Sequence, residues 1–334
     1  MSRRCLRSDP VPTLPRRSAL SAALLLALTG CSTGLETRPD NTVQSGALQV
    51  GALMYARDLE FWQLVEAGMK QAANEAGVPL HVDVSDRKLQ NESQLLDTMY
   101  ARGDNVLLVA PYDSDASSAA LRRARARGLT IVQYDERVDD QSFAYFVGVD
   151  QKVLGEAAGE AAQQYIDSQL GGHAKAALLT GETESHGPPR RESFLAKATG
   201  AEVVTTTEAV GSPEAGAQAF ETVLQSHPET QLVFAWNGAA LQGAAIAARR
   251  LRSPVKIVGV DMSRQLADLL GQRDSPVLAV ADQDAYQVGY RTLQIGVALA
   301  RAKPVSRDTA VAPVIYRAGD HAALDTFYRE LDNR

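Results

Sequence analysis

Val106-Leu107-Leu108-Val109-Ala110 is a wholly apolar run of strand length, broken by Pro111, and Ile131-Val132-Gln133-Tyr134 is a second. Between them lies one helix-length segment, Ser114 to Arg127, stopped at Gly128. Strand, helix and strand in that order make a βαβ unit, which implies a parallel sheet with right-handed crossovers. The second run ends abruptly in three charges, Asp135-Glu136-Arg137. In an open parallel sheet, ligands bind outside the carboxyl ends of the strands. Those charges therefore face either a ligand or, as a solvated loop, nothing but water.

The same alternation extends in both directions. Val50–Tyr55 is strand-like, and Phe61, Leu64, Val65, Gly68, Ala72 and Ala76 recur at helical spacing before Gly77. Leu80–Val84 and a helix through Leu95, Leu96 and Met99 follow. After Phe146–Asp150 the pattern restarts, with a helix from Leu154 to Ile166 and a strand at Ala176–Thr180. Further strands are predicted at 203–207, 232–235, 257–260 and 278–281, separated by helices near 190–199, 214–226, 239–251 and 263–271. A long amphipathic helix, Tyr286–Arg301, and one strand-like run, Ala310–Tyr316, close the chain. Two series of βα units imply an α/β fold of two doubly wound parallel-sheet lobes.

At 334 residues the length suits two domains. The formal charge of −6 argues against a nucleic-acid partner. The first thirty residues hold five Arg and one Asp, a balance of +4. Arg16-Arg17, an apolar stretch and Leu28-Thr29-Gly30-Cys31 read as a signal peptide over 1–30, too short to span a bilayer. The end of the leader resembles a bacterial lipobox, which marks Cys31 for lipidation. With only Cys5 and Cys31 in the chain, no disulfide remains once the leader is removed. A diacylated cysteine brings enough apolar chain for stable attachment to the cell membrane. Residues 31–46 lack apolar periodicity and read as a flexible tether of roughly 20 Å.

The strand ends define the candidate chemistry. They present Arg57, Asp58, Phe61 and Trp62; Tyr112 and Asp113; Asp135, Glu136 and Arg137; Arg190 and Arg191; Trp236 and Asn237; Asp261; and Asp282-Gln283-Asp284. Carboxylates and an Arg fork exchange hydrogen bonds with vicinal hydroxyls, while aromatic faces cover C–H surfaces, a mixture suited to a neutral polyol such as a monosaccharide. Read singly, Phe61 and Trp62 also suit a core, and Asp261 a helix cap. No HExxH, GxSxG, phosphate loop or strand–GxGxxG–helix is present, and the five His show no metal spacing. Asp135 and Glu136 are neighbours on one strand end and point to opposite faces, a poor acid/base pair. The reading is a non-enzyme without cofactor or metal.

From Leu48 to Tyr316 the chain resembles the periplasmic sugar-binding proteins of ABC importers, of the ribose- and xylose-binding type. The matching pieces are Asp58–Trp62, Leu107–Asp115, Val132–Asp135, Val147–Asp150 with Gly155, Phe234–Asn237, Val258–Asp261 and Gln283–Tyr290. The resemblance implies the type I periplasmic binding protein fold, with a three-stranded hinge crossing near Asp150, Gln283 and Thr309. The lobes would then comprise 47–150 with 284–309, and 151–283 with 310–334. It implies sugar stacking on Phe61 and Trp62, hydrogen bonds from Asp135, Arg190, Asn237, Asp261 and Gln283, and a monomer that closes on its ligand by hinge bending. The closed form would dock on ABC permease membrane subunits, outside the cytoplasm. The alternative partner is a chemoreceptor or sensor kinase. A lactose-repressor-type regulator shares the fold, but an export signal stands where its helix-turn-helix would be. The chain departs from the family in having Asp135-Glu136-Arg137 for the usual Asp-Arg, so that either Arg137 swings into the usual place or Glu136 adds an acceptor. Asn237-Gly238 replaces Asn-Asp, and 205–215 lacks an aromatic, which leaves Trp236 as the candidate second ring.

Overall fold

The computed structural model describes residues 47–57, 59–140 and 142–332; Cys31, the tether and Asp58 lie outside them. Apolar runs without alternation suit strands covered on both faces. In β1 (Val50–Met54), β3 (Val106–Val109) and β4 (Thr130–Tyr134) every residue is buried. Successive side chains on these strands enter different cores. Ala52, Met54, Val106 and Leu108 join α1 (Glu60–Ala76) and α9 (Ala285–Ala300) on one face. Leu53, Leu107 and Val109 join α2 (Leu89–Arg102) and α3 (Ser118–Ala126) on the other.

The first sheet adds β2 (Leu80–Val84), β5 (Phe146–Gly148) and β11 (Asp308–Ala310), in the order β11-β5-β4-β3-β1-β2. The second contains β6 (Ala174–Thr180), β7 (Ala201–Glu208), β8 (Leu232–Ala235), β9 (Lys256–Val260), β10 (Val277–Asp282) and β12 (Val314–Arg317). Its order, β12-β10-β9-β8-β6-β7, repeats the first strand for strand, and every pairing but β10–β12 is parallel. Around it lie α4 (Gln151–Gln169), α5 (Gly187–Lys197), α6 (Pro213–Ser226), α7 (Gly238–Leu251), α8 (Arg264–Leu270) and α10 (His321–Asp332). The chain passes from one sheet to the other after β5, after β10 and between β11 and β12.

Two expectations need revision. The single strand read over 310–316 is two strands in different sheets, separated at Ala312-Pro313. Pro313 has no N–H to continue a ladder, so the apolar run changes sheet there. The helix read from Ser114 begins at Ser118 instead. The Asp113 carboxylate accepts the N–H groups of Asp115 and Ala116, a turn that competes with the helix.

Helices approach closely where side chains are missing. A Cβ on Gly68 of α1 would lie 2.0 Å from the Tyr286 carbonyl oxygen, and one on Gly289 of α9 would lie 1.9 Å from that of Val65. Gly155 of α4 similarly rests on α5, where an added Cβ would be 2.3 Å from the carbonyl oxygen of Arg190. That contact brings the head of α5 against the start of α4. Among the described residues no helix is long and apolar enough to cross a membrane.

Candidate ligand cleft

The carboxyl ends of the two sheets face each other across a cleft. Contacts spanning it fix this geometry: Glu136, after β4, accepts a hydrogen bond from Ser185 Oγ at 2.8 Å and lies 3.1 Å from His186 Nε2. Glu60, opening α1, accepts the backbone N–H of Arg264.

Asp135 and Asp261 occupy equivalent places, immediately after the third strand of each sheet order. Both have left-handed backbones, with φ of 63° and 64°. Strained backbone of this kind persists where the surroundings over-determine it, and it clusters at ligand sites. Asp135 is 9% exposed, and among the described residues no group donates a hydrogen bond to its carboxylate. Burial raises its pKa to about 6; Glu136 and Asp261 add to the rise, while His186 and Arg190 oppose it. The carboxylate is thus withdrawn from water with its acceptor capacity unused.

Opposite it stands Arg190, 2% exposed. Its Nε donates to Gln151 Oε1 at 2.8 Å, and its Nη1 donates to the Trp236 carbonyl at 3.0 Å and to Asp261 Oδ2 at 3.2 Å. Its Nη2 has no protein partner among the described residues. Asp261 Oδ1 also accepts from Gln283 Nε2 at 2.8 Å. Neighbouring Asp282 accepts the N–H groups of Met262 and Asp284, and burial raises its pKa to about 7.

Trp62 lies in an aromatic cluster. Trp62 is covered by Tyr55, Phe61 and Tyr134 at centroid distances of 4.4, 5.0 and 6.4 Å. Phe61 retains exposed surface, whereas Trp62 is buried. Trp236 is a wall: its Nε1 donates to the Ala209 carbonyl at 2.8 Å, and its ring fills the space beside Gly181. Asn237 caps α7, its Oδ1 accepting from the Ala240 N–H at 2.8 Å. Asp261 does not cap α8; Ser263 does, accepting from the Leu266 N–H at 3.2 Å.

The structure therefore brings together Asp135, Glu136, Arg190, Asp261 and Gln283, with the Trp236 carbonyl bonded to Arg190; Trp62 packs on Tyr134, the residue before Asp135, and Phe61 packs on Trp62. It does not bring Arg137 there. That guanidinium lies 3.8 Å above the Phe146 ring and pairs with Asp308 at 2.9 Å, towards the sheet edge. Glu136 is taken up by the second lobe. Burial acts to raise its pKa, but His186 and the Ser185 hydroxyl outweigh it and hold the carboxyl below its ordinary value. Gln151, Ser185, His186 and Tyr55 are residues that sequence reasoning did not place in the site. Among the described residues no group of three or more His, Cys, Asp or Glu is arranged to hold a metal ion.

Residues 50–304 match the family model described as a periplasmic binding protein domain. The chain belongs to the periplasmic binding protein family. Members of this family are extracytoplasmic binding components of transport systems. The chain is 25% identical over 307 residues to the ribose import binding protein of Bacillus subtilis, covering 89% of this chain and 98% of that one. It is 25% identical to the D-ribose/D-allose-binding protein of Pseudomonas aeruginosa, with 78% and 84% covered. A solute-binding protein of Actinobacillus succinogenes with bound D-allose superposes with a TM-score of 0.75 at 19% identity, over 83% of this chain and 99% of that one. This structural likeness shows the fold.

Proposed function

We propose that the protein traps a neutral monosaccharide, a pentose or related aldose or polyol, between its lobes and delivers it to an ABC sugar importer. One observation carries this reading: a buried carboxylate on one lobe and a buried guanidinium on the other face the same cleft, each with unused hydrogen-bonding capacity. A hydroxyl can donate to Asp135 while its neighbour accepts from Arg190, which matches vicinal hydroxyls. Three or four such bonds, at roughly 1.5–3 kcal/mol each, reach the ~8 kcal/mol of a micromolar complex. The names of the relatives support the sugar class, and membership in a family of transport components supports a binder rather than an enzyme.

The lobes in this reading are residues 47–150 with 284–309 and 151–283 with 310–334, hinged at the three crossovers. Ligand contacts from both lobes stabilise the closed form. Cys31 carries the lipid, and residues 31–46 tether the receptor close to its permease. The test is a thermal-shift screen of pentoses, hexoses and polyols, followed by calorimetry. A stabilisation by one sugar that shrinks in Asp135→Asn is expected. Indifference to every sugar overturns the reading, and labelled lipid missing from Cys31 in the native host overturns the anchor.

A further inference from the structure

Gln151 Nε2 donates to Gln283 Oε1 at 3.3 Å, while its Oε1 accepts from Arg190. With the bonds from Gln283 and Arg190 to Asp261, four side chains close a ring: Arg190, Gln151, Gln283, Asp261 and back to Arg190. The ring has one sense. Arg190 donates twice, each glutamine accepts once and donates once, and the carboxylate only accepts. Gln151 opens α4 immediately after the first crossover, and Gln283 sits on the second. One amide thus joins two crossovers to the arginine that faces the ligand.

We infer that Gln151 is a positioning residue for ligand capture, acting through Arg190; the inference rests on the cleft being the sugar site. A guanidinium turns about its Cδ–Nε bond. Two contacts on Nη1 fix one end, and the contact on Nε fixes the plane, which leaves Nη2 aimed and free. Without Gln151 the buried Nε–H has lost its partner, and the guanidinium must turn to find another. The near-isostere Gln151→Glu is the control that keeps this role and removes only the donor. Its carboxylate still accepts from Arg190, but it cannot donate to Gln283 or to the Val149 carbonyl. Turning the Gln283 amide only moves the mismatch to Asp261, which then meets an oxygen.

The Arg190 Nε–H signal of the ligand-free protein, observed by NMR, tests the positioning directly. It should be protected from exchange in the wild type, retained in Gln151→Glu and lost in Gln151→Ala. Equal protection in Gln151→Ala overturns the inference. Calorimetry with D-ribose, D-allose and D-arabinose tests the consequence. Gln151→Ala should weaken whichever of these binds by at least tenfold, more than Gln151→Glu does, and by less than twofold in an Arg190→Lys background. The same loss in both backgrounds shows that Gln151 does not act through Arg190 and also overturns the inference. If none of the three sugars binds the wild type, the sugar reading fails, and the Nε–H measurement still decides the role of Gln151.

Discussion

Replacing Asp135 by Asn should stabilise the ligand-free protein while weakening its grip on ligand. The Asp135 carboxyl titrates at about 6 in the folded state against 3.8 for an ordinary Asp, chiefly because it is buried. The folded state therefore holds the proton more tightly than the unfolded chain does. Below pH ~4 both states are protonated and nothing is lost. As the pH rises from about 4 to 6 the unfolded chain releases its proton first, and stability falls. Above pH 6 the ionised carboxylate costs about 3 kcal/mol, from roughly two pH units at 1.36 kcal/mol each. Asn removes the charge, keeps the shape and tolerates the left-handed backbone at φ 63° as well as Asp does. Urea unfolding at pH 7.5 should thus show Asp135→Asn more stable than wild type by up to ~3 kcal/mol, with the gain vanishing near pH 4. Subtracting the wild-type curve removes Asp282, which titrates in the same region. Sugar affinity should drop by about 10- to 100-fold, the weight of a charge-assisted hydrogen bond. A difference from wild type that is the same at pH 7.5 and pH 4, or a variant less stable than wild type at pH 7.5, would refute the claim that this carboxylate is held ionised and unpartnered for a ligand.

Three further outcomes follow from the packing. Gly155→Ala should lower stability by about 1–3 kcal/mol and also weaken sugar binding, because the new methyl pushes on the Arg190 carbonyl; chemical denaturation and calorimetry read both effects. Trp236→Phe should cost about 1–2 kcal/mol by orphaning the Ala209 carbonyl, yet leave sugar affinity within a few-fold if the ring is wall rather than platform. Glu136→Gln weakens the clasp that Ser185 and His186 make across the cleft, so small-angle scattering of the ligand-free protein should shift towards a more open shape.

The sheets were legible because parallel strands covered on both faces announce themselves as unbroken apolar runs, and each had a helix stopped by a small or turn residue. The last crossover was not, since Ala310–Tyr316 keeps one composition while passing between two sheets, and only Pro313 hints at the break. The closing helix, α10, was legible but overlooked: Leu324, Phe327 and Leu331 recur at helical spacing and are all buried. Around the cleft, Asp135, Asp261 and Gln283 directly follow strands, as the strand-end reading expected. Gln151 and His186 carry no local signal, because their roles depend on partners 39 and 132 positions away in one case and on the facing lobe in the other. Arg137 misled for the converse reason: its neighbour in sequence lines the cleft, but Phe146 and Asp308 offered it a ring and a counter-charge at the edge.

The meeting of Gly68 with the α9 backbone, and of Gly289 with α1, has a consequence for the order in which the molecule can assemble. These glycines are 221 positions apart in a chain made from one end. While the ribosome works through β6 to β10, α1 has no α9 to cover it and β5 has no β11 beside it. The second sheet's parallel core can form from a continuous segment, whereas the first must wait for its last helix and edge strand. Long-range closure of this kind is slow and leaves apolar surface uncovered in the interim. Substitutions at Gly68 or Gly289 should accordingly be felt in the yield of newly made protein before they are felt in the finished fold.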